Sequence, residues 1–188
     1  MLYTMTLDLF SILFGGVMAL LPVYAIDILK VGAAGLGTMR MASALGAVMM
    51  MPLLLKYPPT GRPWRNLLLS IVGFGTSVIA FGLSHYYILS LLFLFAQGAF
   101  DSISIVIRGM LMQLLTPEEM RGRVAAVNSM FINSSAELGN VESGLVAGCL
   151  GTIPAVLFGG GLTLLIVLFT YLKTRKLIPL TLDELQEN

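Results

Sequence analysis

Apolar residues along this chain fall into six runs, at positions 5–28, 34–55, 64–83, 86–115, 124–146 and 153–172. Each is close to the roughly 20 residues that an α-helix needs to cross a bilayer, so each predicts a spanning helix. What separates them is short and polar or rich in helix breakers. Positions 27–32 form a brief connection, and 56–65 hold Pro58, Pro59, Gly61 and Pro63, a loop by composition. Ser84 and His85 make a minimal turn. Positions 116–123 are a charged turn, where Pro117 suits a turn or helix start and Gly122 a break in the helix. The turn at 148–152 is uncharged, and 173–188 form a polar tail. The pattern predicts an all-α membrane protein, with six transmembrane helices in one domain over 1–172 and a cytoplasmic tail over 173–188.

Composition agrees. Of 188 residues 57% are hydrophobic and 11% charged, against about 25% charged in a soluble domain, and mean hydropathy is +0.90. A net charge of +1 gives no electrostatic case for nucleic acid. Cys149 and His85 are the single cysteine and histidine, which excludes an intrachain disulfide, cysteine clusters and His-pair metal sites. No cofactor is implied. The N-terminus lacks the basic start of a signal peptide, and Asp8 interrupts its apolar run.

Charge in the connections orients the helices. Lys56, Arg62, Arg65, Arg121, Arg123, Lys173, Arg175 and Lys176 lie in alternate connections and the tail, whereas the others hold only Lys30. The positive-inside rule then puts both termini in the cytoplasm. Tyr57, Trp64, Tyr86, Tyr87 and Tyr171 fall near the span ends, where an aromatic belt is expected.

Ionisable residues inside the spans are the candidate chemistry, because each costs about 2.5 to 3.5 kcal/mol on insertion scales. Spans four and five carry Asp101, Arg108, Glu137 and Glu142, with Asn128, Asn133 and Asn140. If these spans form an antiparallel hairpin about Glu119, Asp101 and Glu137 share a depth near mid-membrane. Arg108 then lies about 10 Å inside the cytoplasmic edge, and Arg40 and Glu142 about 10 Å inside the outer edge, which makes the last two a candidate pair. Asp101, Ser104 and Arg108 share one helix face. In span five, Ser129, Asn133, Glu137, Asn140 and Gly144 form one polar stripe, and Asn128, Ser135 and Glu142 a second on nearly the opposite side. Such a helix expects protein or water on both sides.

Asp101 and Glu137 are candidates to line a translocation path and take up protons; locked structural ion pairs are the alternative. Arg108 fits a snorkelling or structural arginine, and Arg40 half of a structural or gating pair. Asp8 is a packing residue or a ligand. Gly37, Ala44, Gly46 and Ala47 would let a helix approach span two closely, and Gly159 to Gly161 read as helix packing. Met49, Met50 and Met51 suit lipid contact or adaptable packing, and His85 reads as a turn residue.

The chain resembles the C-terminal half of a major facilitator superfamily transporter, in the bacterial branch of enterobactin-exporter-like and drug-efflux-like permeases. The matching words are Leu7-Asp-Leu-Phe10, Leu20-Leu-Pro-Val-Tyr-Ala-Ile-Asp-Ile-Leu29 and Gly35-Leu-Gly-Thr-Met-Arg40. The most specific is Asp101-Ser-Ile-Ser-Ile-Val-Ile-Arg108, followed by Thr116-Pro-Glu-Glu-Met-Arg-Gly-Arg-Val-Ala-Ala-Val-Asn-Ser129 and Ala136-Glu-Leu-Gly-Asn-Val-Glu-Ser-Gly144. By this resemblance the spans are similar to helices seven to twelve of twelve. Spans one and four would border a central cavity, with Asp8, Asp101 and Arg108 near it, and spans two and five would face the other half. Gly61-Arg-Pro-Trp-Arg65 is similar to the cytoplasmic loop of that family without its aspartate, so a charge-relay gate is not expected there.

The resemblance implies proton-coupled secondary export of a small molecule, such as a drug or siderophore, across the bacterial inner membrane. Its partners would be the lipid bilayer, the small-molecule substrate, and a missing N-terminal half or a homodimer partner. The chain is expected to be a partial reading of a longer permease. The alternative is a non-transporting fragment or half-size scaffold. An intramembrane enzyme is not expected, since the chain has no GxGD-type aspartyl pair, no rhomboid-like Ser–His arrangement and no metal-ligand cluster.

Overall fold

The computed structural model describes residues 17–57 and 61–174. All regular structure among them is helical: α1 (Val17–Val23, continued as a π-helical turn over Tyr24–Ile28), α2 (Gly32–Lys56), α3 (Pro63–Leu83), α4 (Tyr87–Leu115), a 3-10 turn (Glu118–Met120), α5 (Arg121–Leu150) and α6 (Thr152–Lys173). Helices α2, α3, α4 and α6 are long and apolar enough to cross a membrane. This is a helical membrane protein. Helix α5 has 30 residues but interrupts its apolar surface with Asn128, Asn133, Glu137, Asn140 and Glu142.

The helix ends follow local chemistry. Pro22 has no N–H for the carbonyl four residues back, and the ladder widens to π spacing one turn later. That turn closes with Leu29 N donating to Tyr24 O and Val31 N to Ala25 O, both at 2.8 Å, while Lys30 takes the left-handed conformation at φ 53°. Pro63 opens α3, where its fixed φ suits the first helical position. The charged turn is pinned by Thr116 Oγ1 donating to Met112 O at 2.6 Å and by Arg121, which reaches Thr116 O and the Glu118 carboxylate. Gly122 lies inside α5 and breaks nothing. The break comes at Gly151, whose φ of 94° lets the chain reverse between α5 and α6.

Helix α4 packs on both α2 and α3, and α3 on α6; two of these contacts are crossings at glycine. Where α2 meets α4, a Cβ on Gly46 would strike the Phe95 carbonyl, and one on Gly98 the Ser43 carbonyl. Backbone therefore rests on backbone, the approach that small residues permit when lipid supplies no hydrophobic drive. Side chains rivet the seam: Thr38 to Tyr87 through their hydroxyls, Ser43 Oγ to Gln97 Oε1 at 3.2 Å, and Ser102 Oγ to Ala47 O at 3.1 Å. Partner numbers rise together, so α2 and α4 run parallel. Helices α3 and α6 cross antiparallel at Gly75 and Gly160, with Gly82 against Val156. The bond from Trp64 Nε1 to Thr174 Oγ1, 2.9 Å, ties the start of α3 to the end of α6. Gly160 thus packs as expected of its triplet, whereas Gly37 meets open space and Ala44 is exposed. Trp64 is buried, not part of an outward belt; Tyr57, Tyr86 and Tyr171 are exposed.

A buried cluster joins α1 to α3 through Leu21, Tyr24, Val78 and Phe81. The Tyr24 and Phe81 rings lie 4.6 Å apart, and the Tyr24 hydroxyl donates to Gly82 O at 2.9 Å. Gly82 is in the last turn of α3, where carbonyls lack helical partners, so this phenol satisfies one of them.

Candidate functional site

Consecutive helices α4 and α5 are joined by the tight turn at 116–120 but are not laid against each other. Helix α4 lies between α2 and α3, and α5 leans on α6 and α1. The expected hairpin is thus replaced by an open V. The α2–α4 seam explains it: Gly98, Ser102 and Gln97 commit one side of α4 to α2, and Gly73, whose Cβ position abuts the Phe100 ring, draws α3 to another.

The two polar stripes of α5 separate by exposure. Ser135 is buried, with Gly139 and Ser143 at helical spacing, and Asn128 and Glu142 are half-buried beside them. This face turns inward. The other stripe, Ser129, Asn133, Glu137, Asn140 and Gly144, is exposed along its whole length. Apolar Met130, Phe131, Leu138, Val141 and Leu145 flank it, also exposed. Helix α2 shows a related surface, where Gly37, Arg40 and Ala44 are exposed and the buried side is confined to Gly35, Met39, Ser43 and Gly46. Met49 and Met51 lie on its exposed surface, as lipid-facing methionines would.

Arg40 and Glu142 do not come together. Among the described residues no ion pair joins them, because α2 and α5 share no extended contact. The Glu142 carboxylate instead accepts from Ser143 Oγ at 3.5 Å. On α4, Asp101 and Arg108 are half-buried and engaged with neighbouring groups, while Ser104 between them is buried. Asp8 lies outside the described residues. Arg62, Arg65, Arg121 and Arg123 are all exposed, but only Arg62 lies in a connection: Arg65 is in the first turn of α3, and Arg121 and Arg123 are in the first turn of α5, because each helix starts before its apolar run does. Exposed His85 sits in its turn.

Sequence reasoning passed over Gln97, Thr38 and Tyr24. Gln97 had a usable signal, an amide within an apolar run beside a glycine. The roles of Thr38 and Tyr24 depend on partners 49 and 58 positions away and leave no local trace.

The arrangement can hold polar groups in register on membrane helices and leave a polar surface on α5 for another occupant. No protein-family model matches the chain, and no curated protein does.

Proposed function

We propose that this chain is one six-helix half of a major-facilitator-type secondary transporter, exporting a small molecule by alternating access coupled to protons. The observation that carries the reading is the exposed stripe Ser129, Asn133, Glu137 and Asn140 on a helix of bilayer-spanning length. Polar and charged side chains there need water or protein against them. A solute path beside a second bundle supplies both.

Helix pairing supports the same reading. Transporter halves of this kind are built from two three-helix repeats of inverted topology. Exchanging α1–α3 with α4–α6 turns the α2–α4 pair into α5–α1 and the α3–α4 pair into α6–α1, and it returns α3–α6 to itself. All of these pairs are in contact. Two contacts break the exchange: α5–α6 has no α2–α3 counterpart of similar extent, and α1–α2 has none in α4–α5; the contacts of α1 are also much smaller than those of α4. On this reading α1 and α5 also span, both termini are cytoplasmic, and the membrane is the bacterial inner membrane. Asp101 and Glu137, with Asp8, are the proton-coupling candidates.

The test is proton-driven dye efflux in vesicles. Asp101→Asn and Glu137→Gln should each abolish efflux while leaving membrane insertion intact; full efflux by both would remove them as couplers. A second reading, a scaffold inactive without a partner half or a second copy, is favoured by the width of the exposed face on α2 and α5. Efflux by the 188-residue chain, compared with the same chain fused to a preceding six-helix bundle, separates the two.

A further inference from the structure

On the outer side of the α3–α6 crossing a half-open groove of about 370 Å³ runs between the helices. Its walls are apolar, formed by Leu68 and Val72 of α3 and Leu164 and Leu168 of α6. Arg65 and Tyr171, from the first turns of α3 and the last turns of α6, complete the lining, which is almost wholly apolar, so it is mainly the stem of Arg65 and the ring of Tyr171 that face the groove. The Trp64–Thr174 bond holds those two helix ends together, so the cation and the phenol share one end of the groove. Both side chains are exposed, and Arg62 and Lys173 lie at the same end of the bundle.

A slot with hydrocarbon walls that ends at an exposed arginine has the polarity of one lipid. We propose that it seats an anionic phospholipid, with the phosphate at Arg65 and Tyr171 and an acyl chain along Leu68, Val72, Leu164 and Leu168. Arg65 supplies planar, paired donors that match phosphate oxygens. A zwitterionic lipid fills the same walls but adds a cationic headgroup beside Arg65. Preference for the anion therefore reports the headgroup, and basic residues between membrane helices are its usual receptors. The site lies on the α3–α6 face, away from the polar stripe of α5, and does not depend on any transport activity.

Trp64, the single tryptophan, adjoins Arg65 and reports occupancy. The full chain is placed in phosphatidylcholine vesicles containing a small fraction of either phosphatidylglycerol or phosphatidylcholine brominated high in the acyl chain. At equal fractions, quenching of Trp64 should reveal an association about fivefold stronger for the brominated phosphatidylglycerol. Arg65→Gln should bring the two lipids level, Arg65→Lys should keep most of the preference, and Arg62→Gln should leave it in place. Helical circular dichroism confirms that each variant is folded. Equal quenching by the two lipids in the unaltered chain would overturn the proposal. So would equal losses from Arg65→Gln and Arg62→Gln, which would mean diffuse attraction to a basic surface.

Discussion

At the scale of single residues, polar side chains in this protein mostly do structural work between helices. Tyr24 shows it best: fully buried, its ring lies tilted against Phe81 and its hydroxyl satisfies the Gly82 carbonyl near the end of α3. Buried there, that carbonyl has no water to turn to. Replacing Tyr24 by Phe keeps the ring and removes the bond, so Tyr24→Phe should cost about 0.6 kcal/mol and no more than about 1.7, the average and the maximum for side-chain hydrogen bonds between membrane helices. Reversible unfolding in mixed micelles measures it. Tyr24→Leu should cost more, since the ring contact is lost as well. The same logic covers Ser43 with Gln97 and Ser102 with Ala47, where each hydroxyl ties α2 to α4.

At the scale of elements, the seam between α2 and α4 rests on Gly46 and Gly98, and its prediction is a contrast. Gly46→Leu drives a side chain into the Phe95 carbonyl and should cost about 3 kcal/mol or more, because backbone cannot move aside as a side-chain end can. Gly37→Leu, nine residues earlier on an open face, should stay within about 0.5 kcal/mol. The same unfolding assay compares them, and equal costs would mean the crossing lies elsewhere. The pair also marks what could be read in advance. The helices from α2 to α6 begin and end within a few residues of the apolar runs, because length and hydropathy decide where a chain can span. Which glycine packs could not be read. Lipid and protein interior are both apolar, so hydrophobic periodicity does not tell one side of α2 from the other. Trp64 was misjudged for the same reason: an aromatic at a helix end suits a lipid belt or a core, and only distant Thr174 decided it. The open V of α4 and α5 was equally hidden, since a short turn says that helices are joined, not that they touch. The two stripes of α5 were legible because polar residues stand out against an apolar background wherever they point.

At the scale of the whole molecule, most exposed surface on α2, α3, α4 and α6 is apolar, as lipid requires, whereas α5 turns a polar stripe outward and α2 exposes Arg40. That contrast turns the position of Glu137 into a solvent-access question. After Cys149→Ser removes the native exposed thiol, single cysteines can be placed at Asn133, Glu137, Phe131 and Leu138. If the stripe borders a wet path, Asn133→Cys and Glu137→Cys in vesicles should react with a small charged maleimide at least about tenfold faster than Phe131→Cys and Leu138→Cys, because thiolate forms in water and not in hydrocarbon. The comparison is internal to one helix, since all of these positions are exposed on α5 and Phe131 and Leu138 lie away from the stripe at helical spacing. A partner bundle packed dry against the stripe would slow Asn133→Cys and Glu137→Cys alone, and a disulfide or photocrosslink from those positions would then capture it. If all the cysteines react equally slowly and none crosslinks, Glu137 faces acyl chains. The transporter reading, which requires water or protein there, would then fall.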